Sequence, residues 1–338
     1  MSVGGVGVGD DLMATGHWPA SKRPTSLGLM IPVSEKAAFG DTPRFTDVIE
    51  MCKTAADVGF EAVWFADHFT FGDEETGFRG AWDAWTLMAA VAASVPDVQI
   101  GPMVACTAYR NPGVIVKMTE MIDEISAGRF ILGLGAGWHK PEYDGFGIPF
   151  EPRVTRFEEA MKIIHPLLRS GRADFKGTFY GADNGLNIPR GPRPAGAPIL
   201  IGSSGERMLR LLARYADAWN SGWHNDASSV MEKLRRLDAA CEAEGRDPAT
   251  VVRTAGINIA MDGYTGSRPE PVEGDIDAKA KVMDDFRKLD FKHVVCGIDP
   301  CTVDSVKAFA PIIDTFDKTG HYIRSPSTTG GPEWHAMR

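Results

Sequence analysis

The sequence predicts an α/β fold, a (β/α)8 TIM barrel with an insertion after the fourth strand. Short apolar runs alternate with amphipathic segments of helical spacing, and the count reaches eight of each. A chain of 338 residues is long enough to keep such a repeat in one large domain. An open parallel sheet would produce the same local patterns, so the number of units is what favours the closed barrel.

The predicted strands are short apolar runs bounded by glycine, proline or polar turns. They cover 27–31, 61–66, 98–105, 130–134, 198–202, 216–220, 252–260 and 293–297. The predicted helices between them carry apolar residues on one face. They cover 42–59, 81–93, 111–128, 157–168, 208–215, 231–241, 278–289 and 303–316. Thr42 and Asn111 each precede a proline, which is typical of a helix N-cap followed by the first helical position.

The domain boundaries follow from where this alternation begins and stops. We expect a flexible, glycine-rich arm over 1–24, a single barrel domain over 25–320, and a tail over 321–338. The arm lacks the basic start and apolar core of a signal peptide. The insertion is expected around 138–198, with a small hairpin around Thr178 to Tyr180.

Composition narrows the range of partners. The net charge is −9 and there is no basic run, which argues against nucleic acid and anionic membrane surfaces. No apolar run is long enough to span a bilayer. The five cysteines show neither metal-ligand spacing nor the density of a disulfide scaffold, so we expect a reducing, cytoplasmic setting. No HExxH-type motif occurs, and we predict no metal. A small molecule is the expected partner.

The fourth strand leads into the segment most typical of a binding site, GRFILGLGAGWHKPEYDGFG over 128–147. A dinucleotide fingerprint would need a third glycine where Trp138 stands, and a helix that Pro141 and Pro149 should prevent. We therefore interpret Gly133, Gly135 and Gly137 as backbone on which a flat ring could lie, since glycine has no Cβ. The alternative is a turn that needs positive φ.

The second strand ends in Asp67 and His68. A histidine with an acidic neighbour at a strand tip, followed by aromatic Phe69, Phe71 and Phe78, suits proton transfer or a hydrogen bond to a cofactor ring. The alternative is an ordinary structural histidine. The carboxyl ends of barrel strands form the functional face, and this position favours the catalytic interpretation.

Two further strand ends carry polar groups. The third strand ends in Cys106 and Thr107, which could touch a ligand, although Cys106 could equally be a small buried hydrophobe. The fifth strand is followed at once by a helix, so the free amides of 202–207 and the serine hydroxyls favour a phosphate site. A tight turn with serine caps is the alternative. The sixth strand adds a polar and aromatic segment over 220–224.

Four segments together resemble the luciferase-like monooxygenase superfamily, whose members are flavin- and deazaflavin-dependent (β/α)8 barrels. The segments are GFEAVWFADHF, AYRNP, GRFILGLGAGWHKPEYDGFGIPF with the following RFEEAM, and PILIGSSGERMLRLLARYADAWN. They occur in the family's order and cover most of residues 27–220. Each segment alone is weakly specific, and the four in order are strongly so.

The resemblance implies that the cofactor ring lies over the third and fourth strands and that its phosphate binds the turn after the fifth. The implied cofactor-binding residues are Val104, Cys106, Thr107, Gly135, Ala136, Gly137, Trp138, Tyr143, Gly202, Ser203, Ser204, Gly205, Glu206 and Arg207. His68, with Asp67, would move the proton near the reacting atom. A non-proline cis peptide is implied within 103–106. We expect Phe71, Trp82, His139 and Trp223 to contact the substrate, under a mobile loop over 263–275.

The resemblance leaves the cofactor open between coenzyme F420 and FMN. Segments DHF and AYRNP favour F420 and hydride transfer without oxygen, whereas GWHKPEY is similar to FMN oxygenases of pyrimidine-ring type, which need O2 and a flavin reductase. Trp138 stands where sugar-phosphate dehydrogenases of the F420 branch carry an acid, which argues against that substrate. The expected substrate is an apolar or planar organic compound. A non-catalytic flavin-binding barrel is the third alternative, and a homodimer is a further expectation.

Overall fold

The computed structural model describes residues 18–35 and 42–320. The barrel strands are β1 Ser26–Ile31, β2 Ala62–Phe65, β3 in two pieces Gln99–Pro102 and Ala105–Cys106, β4 Leu132–Gly135, β5 Ile199–Gly202, β6 Ala218–His224, β7 Val252–Ala260 and β8 His293–Asp299. The helices are α1 Phe45–Val58, α2 Ala84–Ser94, α3 Pro112–Ile125, α4 Lys140–Gly145, α5 Arg153–Ser170, α6 Glu206–Tyr215, α7 Met231–Ala243, α8 Ile276–Lys288, α9 Val303–Ala308 and α10 Ala310–Thr319.

The strands form one parallel sheet that closes on itself through β3. In the order of pairing, β2, β1, β8, β7, β6, β5 and β4 follow one another, and the two pieces of β3 lie at the two ends. Gln99–Pro102 pairs with β2, whereas Ala105–Cys106 pairs with β4. The closed-barrel prediction is therefore confirmed. The predicted third strand is not continuous, because a cis peptide between Met103 and Val104 separates its two pieces. This bond lies within the range that the resemblance implied.

A buried polar triad of Ser26, Trp64 and His293 closes the inside of the barrel at the amino ends of the strands. Trp64 Nε1 donates to His293 Nε2 at 2.9 Å, and His293 Nδ1 lies 2.6 Å from Ser26 Oγ. Because an indole N–H can only donate, Nε2 must accept and Nδ1 must carry the proton. Burial lowers the pKa of His293 to about 3, so the ring is neutral at physiological pH. The triad fills the amino ends of the strands and leaves the carboxyl ends for a site.

Helix starts and stops follow the residues that the sequence offers, with one correction. Asn111 caps α3 by accepting from the amide of Gly113, as predicted, and Pro112 occupies the first helical position. Thr42 was expected to cap the first helix, but α1 begins at Phe45. Arg44 is the N-cap there, and its amide donates to the side chain of Asp47 at 2.9 Å.

The insertion after β4 contains two helices and a hairpin. Pro141 does not prevent α4, because a proline in the first helical turn needs no amide donor, and this corrects the expectation that no regular helix follows Trp138. After α5, strands Arg172–Lys176 and Gly181–Leu186 pair antiparallel, so the hairpin expected around Thr178 to Tyr180 forms. The Glu159 carboxylate accepts hydrogen bonds from the three amides of its turn. A second hairpin, Thr70–Phe71 with Arg79–Gly80, follows β2 and was not predicted.

The chain before β1 contacts the barrel within the range expected to be a loose arm. The ring of Trp18 lies 6.2 Å from that of His293, and Arg23 bonds Asp317 of α10 at 2.6 Å. Residues 1–17 of the arm and the tail over 321–338 lie outside the described residues. The last predicted helix is divided into α9 and α10. Within the described ranges, every helix is too short or too polar to cross a membrane.

Candidate active site

Glycine occurs at the tip of β4 for a different reason from the one expected. A Cβ on Gly135 would lie 2.7 Å from Val104 Cγ2, and one on Gly137 would lie 1.9 Å from the hydroxyl of Tyr143. The missing side chains therefore make room for the protein's own atoms, not directly for a ring. A Cβ on Gly202 of β5 would also approach Val104, at 3.1 Å. Val104 thus lies over the tips of two strands. Together with Met103 it forms an apolar surface at the barrel mouth, which we call the Val104 shelf.

A cavity of about 290 Å³ opens above this shelf at the carboxyl ends of β4, β5 and β6. Of the residues predicted to bind a cofactor, those that line it are Val104, Trp138, Gly202, Ser203 and Ser204. Trp223, predicted for the substrate, lines it as well. The further lining residues are Met103, Asn220, Ser221, Gly222 and Lys233. The structure therefore brings the third, fourth, fifth and sixth strand ends to one space.

The amino end of α6 directly follows the lining residues Ser203 and Ser204 and carries free backbone donors, although Gly205, Glu206 and Arg207 do not themselves line the cavity. Gly205 is the N-cap, and among the described residues the amides of Glu206 and Arg207 have no acceptor, as expected for a first helical turn. The side chains of these two residues do not converge on the turn. Glu206 pairs with Arg210 at 3.3 Å, and Arg207 bonds Glu158 of α5 at 2.7 Å. Their contribution to an anion site would come from the backbone.

Lys233 is a cation of the cavity that sequence reasoning missed. It lies in the first turn of α7, and the structure describes no hydrogen bond or ion pair for its ammonium among the described residues. Burial lowers the pKa of the Lys233 ammonium from its ordinary value. No motif marks this residue, because its position depends on how α7 packs beside β6. Together with the α6 amides, it makes this end of the cavity electropositive.

Glu142 of α4 organises the tip of β2. Its Oε2 accepts from His68 Nδ1 at 2.8 Å and from the Tyr109 hydroxyl at 2.6 Å, while Oε1 accepts from the amides of Phe69 and Thr70. Burial alone would raise the pKa of Glu142, but these hydrogen bonds outweigh it and hold the pKa below its ordinary value. The carboxylate is fully buried and ionised. Glu142 lies in the segment 128–147 that was predicted to form a site, but no role was predicted for its side chain.

His68 is fixed by this carboxylate. An ionised carboxylate accepts only, so His68 Nδ1 carries a proton, and Nε2 has no hydrogen bond to any residue that the structure describes. His68 itself does not line the cavity. The His68 side chain is 14% exposed and is surrounded by rings. Its ring centroid lies 4.4 Å from Phe71, 5.6 Å from Trp138 and 6.0 Å from His139. We call these four residues the His68 cluster, and Trp138 joins it to the cavity.

Within the His68 cluster, His139 is 7% exposed, and its Nε2 is buried without a hydrogen-bond partner among the described residues. A buried polar atom without a partner is costly unless a ligand or water supplies one. Two other aromatic residues of the sequence analysis lie apart from this cluster. Trp82 donates its indole N–H to the Pro43 carbonyl at 2.7 Å, and Phe78 is 54% exposed. No ring contact of either with His68 is described.

The hydrogen bonds of Asp67 hold neighbouring groups in position. Its Oδ2 accepts from Arg110 at 2.8 Å and from the amide of Cys106 at 3.1 Å, and Arg110 also bonds Asp83 at 2.9 Å. Burial raises the pKa of Asp67, and the attraction of Arg110 opposes this shift. The carboxylate therefore holds the end of β3 beside β2. It was predicted to share proton transfer with His68, but its described bonds point to support of the strand tip instead.

Cys106, Thr107 and Tyr143 pin the tips of β3 and β4 together beneath the cavity. Cys106 Sγ lies 3.0 Å from the Tyr143 hydroxyl, which also donates to the Ala136 carbonyl at 2.9 Å. Thr107 Oγ1 lies 3.4 Å from the Gly135 carbonyl. Burial raises the pKa of the Cys106 thiol to about 11. These predicted cofactor residues are buried and do not line the described cavity.

The tip of β6 is shaped by a second non-proline cis peptide, between Gly222 and Trp223. The Trp223 indole lies over Gly256 of β7, where a Cβ would meet it at 2.8 Å. Beneath it, Ser221 Oγ lies 2.9 Å from His224 Nε2 in a buried contact. The glycine at position 256 thus lets the indole settle across the barrel mouth.

The comparisons with known proteins agree with this geometry. The family model described as luciferase-like monooxygenase matches residues 25–280. Pyrimidine monooxygenase RutA from Escherichia coli (strain SMS-3-5 / SECEC) is 28% identical over an alignment of 248 residues, and the match covers 67% of this chain and 65% of the relative. The match therefore spans somewhat less than two thirds of that relative's length.

Solved structures share the fold. An F420-dependent secondary alcohol dehydrogenase in complex with an F420-acetone adduct superposes with a TM-score of 0.72, at 18% identity, over 86% of this chain and 99% of that one. Riboflavin lyase (RcaE) with modified FMN and riboflavin gives a TM-score of 0.74, at 13% identity, over 90% and 94%. The family match covers well over half of the sequence, and it confirms the resemblance. The chain belongs to the luciferase-like monooxygenase family of enzymes.

Proposed function

We propose that the protein transfers a hydride between coenzyme F420 and a small organic substrate at the carboxyl end of the barrel. The observation that supports this most is the cavity of about 290 Å³ that joins the Val104 shelf to Ser203 and Ser204. One end offers an apolar surface next to aromatic rings. The other offers helix amides and a lysine. This distribution suits a planar ring with a phosphorylated tail.

The residues present fit such a cofactor. Met103 and Val104 would carry the ring, because glycines at 135 and 202 let Val104 lie flat against the strand tips. The α6 amides, the hydroxyls of 203–204 and the Lys233 ammonium would hold the phosphate, since an anion is stabilised at a helix amino end. The unpartnered Nε2 of His139 is a further donor or acceptor for a bound group.

The bound cofactor supplies the hydride, and the chain supplies the proton chemistry. His68 Nε2 would take or give the proton that accompanies hydride transfer, because Nδ1 is committed to Glu142. Glu142 keeps the ring in one orientation, because its carboxylate accepts from Nδ1. Phe71 and Trp138 flank the imidazole and limit access of water. Asp67 would act indirectly, by holding the Cys106 amide and Arg110.

A monooxygenase that uses reduced FMN is the second candidate. It is supported by the 28% identity to the pyrimidine monooxygenase and by the likeness to the fold of riboflavin lyase, a structure that holds a modified FMN. The same shelf and phosphate end would serve FMN. This candidate would need O2 and a flavin reductase as a partner. A barrel that binds flavin without catalysis is the remaining alternative.

The test is a titration of the cofactor-free protein with F420, FMN and reduced FMN, the last without oxygen, followed by fluorescence. F420 is expected to bind tightest, and substrate turnover with it should proceed without oxygen uptake. Tightest binding of reduced FMN, with oxygen consumed in the presence of a flavin reductase, would establish the second candidate. Binding of neither cofactor would contradict both.

A further inference from the structure

Arg268 places a guanidinium at the barrel mouth, against β7 and β8. It belongs to the segment between β7 and α8 that was expected to cover the site. A Cβ on Gly297 of β8 would lie 2.5 Å from Arg268 Nη1 and 2.7 Å from Cζ. The guanidinium therefore rests directly on the β8 backbone. Any larger residue at 297 would displace it.

Gly297 faces the inside of the barrel. It is two residues from Val295, which packs in the interior with Trp64, and side chains alternate along a strand. Its register partner on β7 is Asn258, which consequently faces inward too. Arg268 Nη1 lies 3.4 Å from Asn258 Oδ1. The guanidinium is thus at the mouth of the barrel and not on its outer surface.

The segment that carries Arg268 is tied down by Asp299. The Thr265 hydroxyl donates to Asp299 Oδ1 at 2.6 Å, and the amides of Ser267 and Arg268 donate to Oδ2 at 2.8 and 3.3 Å. These bonds occupy the carboxylate with the backbone and a hydroxyl. No ion pair between the Arg268 guanidinium and a carboxylate is described in residues 18–35 or 42–320.

Arg268 and the cavity share one aromatic side chain. The guanidinium carbon lies 5.3 Å from the ring centroid of Trp223, and Trp223 lines the cavity. A guanidinium stays charged in a protein, and the one hydrogen bond described for this guanidinium is long, so its remaining N–H groups are available to a ligand. Its planar fork matches a carboxylate through two parallel N–H···O bonds. The neighbouring Trp223 indole would pack against the flat, apolar part of a ligand that carries such a carboxylate.

We propose that Arg268 is the recognition residue for the carboxylate of a planar organic acid, which would be the substrate class of this enzyme. The inference rests on the proposed function, since it places the acid beside a cofactor on the Val104 shelf. It narrows the expected substrate from an apolar or planar compound to an anionic one. Arg268 would bind and orient the acid, and the proton chemistry would remain with His68.

The test uses the cofactor-loaded protein and matched pairs of an acid with its amide, benzoate with benzamide and nicotinate with nicotinamide. Binding is followed through the fluorescence of the bound cofactor. In at least one pair the wild-type protein should bind the acid about tenfold more tightly than the amide, the size of one charge-assisted contact. Arg268→Gln should remove this preference, and Arg268→Lys should restore part of it, because a lysine keeps the charge without the fork.

Arg235→Gln is the matched control, because Arg235 is 74% exposed and pairs with Glu232 on the surface of α7. It should leave the preference for acids unchanged. Thermal unfolding checks that each variant is folded, and Arg268→Lys replaces Arg268→Gln if the latter is not. Equal binding of acid and amide by the wild-type protein, or a preference that survives Arg268→Gln, would overturn the inference. The inference would also be overturned if Arg268→Gln lost as much affinity for the cofactor as for the acid.

The two proposals fail differently. If the wild-type protein binds neither F420 nor FMN, the proposed function is wrong before any acid is added. If a cofactor binds and the acids show no dependence on Arg268, the proposed function stands and the assignment of the substrate class does not.

Discussion

His68 and Glu142 are joined by a hydrogen bond of 2.8 Å between Nδ1 and Oε2. The two residues are far apart in sequence, and α4 brings the carboxylate over the end of β2. Because the carboxylate accepts only, the bond fixes which nitrogen of His68 carries the proton. It leaves Nε2 as the atom that can exchange a proton with a ligand. The roles proposed for this pair lead to the first two predictions.

Glu142→Gln should lower turnover by about a hundredfold, within the range that a positioned acid or base contributes. The amide removes the negative charge and can offer an N–H to Nδ1, which favours the wrong tautomer. Cofactor affinity should change little. The control is Tyr109→Phe, which removes one donor to the same carboxylate and keeps its charge. The measurement is kcat with cofactor dissociation constants for both variants, and equal losses in the two would contradict the assignment.

His68→Asn should reduce kcat strongly and leave cofactor binding nearly unchanged. Asparagine can still donate to Glu142, so the local structure is kept, but it has no ring nitrogen that can take up or release a proton. Steady-state kinetics and a fluorescence titration of the same preparation give the two values. Full activity in the variant would remove the proton-transfer role from His68.

Gly135→Ala should destabilise the protein by about 1–3 kcal/mol, the usual cost of overpacking. The new methyl group would lie 2.7 Å from Val104 Cγ2 and push the shelf out of place. Cofactor affinity should fall with it. Adding Val104→Ala should recover stability, because it removes the atom in conflict. Urea unfolding gives the comparison.

Gly145→Ala is the matched control for that series. Gly145 ends α4, and no atom of the described part of the chain lies within 4 Å of a Cβ built there. The free energy of unfolding of the Gly145→Ala variant should therefore stay the same or rise slightly. If both alanine variants lose equal stability, crowding against Val104 is not the reason for glycine at 135.

Much of the fold could be predicted because the residue patterns that specify strands and helix caps are local in sequence. Each strand is a short apolar run, and caps such as Asn111 need no tertiary contact to be recognised. The break in β3 could not be derived from the residue pattern, because Met103 and Val104 are apolar like their neighbours; it was implied by the resemblance alone. The six-residue helix α4 was missed because proline was treated as a helix breaker, although it is tolerated in a first turn.

The location of the site was predicted, but the hydrogen bonds and contacts between its side chains were not. The strand ends that meet at the cavity were identified, because parallel strands place their carboxyl ends on one face. Glu142, Lys233 and Arg268 were missed, since their roles depend on which helix or loop packs over which strand. The glycines of β4 were noticed for the right property, the absence of a Cβ, and the wrong neighbour. The expected homodimer stays a prediction.

Buried His165 should make stability depend on pH. Burial lowers its pKa to about 4 in the folded protein, compared with about 6.5 in an unfolded chain. Between these values the unfolded chain binds more protons, so stability is constant above about pH 6.5 and falls as the pH drops toward 4. The slope is at most about 1.4 kcal/mol per pH unit for one histidine.

His165→Leu should make this slope shallower without removing it, because burial also lowers the pKa of His224 to about 4 and of His293 to about 3. The measurement is the free energy of unfolding in urea from pH 4 to pH 8. Wild type and variant should both be flat above pH 7. Identical slopes below pH 6.5 would show that His165 does not titrate as described.

The central claim is that one cavity holds a redox ring on the Val104 shelf and its phosphate at the start of α6. The most direct measurement compares the affinity of the cofactor that binds best with that of its dephosphorylated form, riboflavin in the case of FMN, in the wild-type protein and in Ser204→Asp. Ser204 is exposed, so the new carboxylate should repel a phosphate without disturbing the fold. The account predicts that the phosphorylated form binds about tenfold or more tightly in the wild-type protein, and that Ser204→Asp removes this advantage while the dephosphorylated form binds as before. Equal affinity for both forms in the wild-type protein would contradict it.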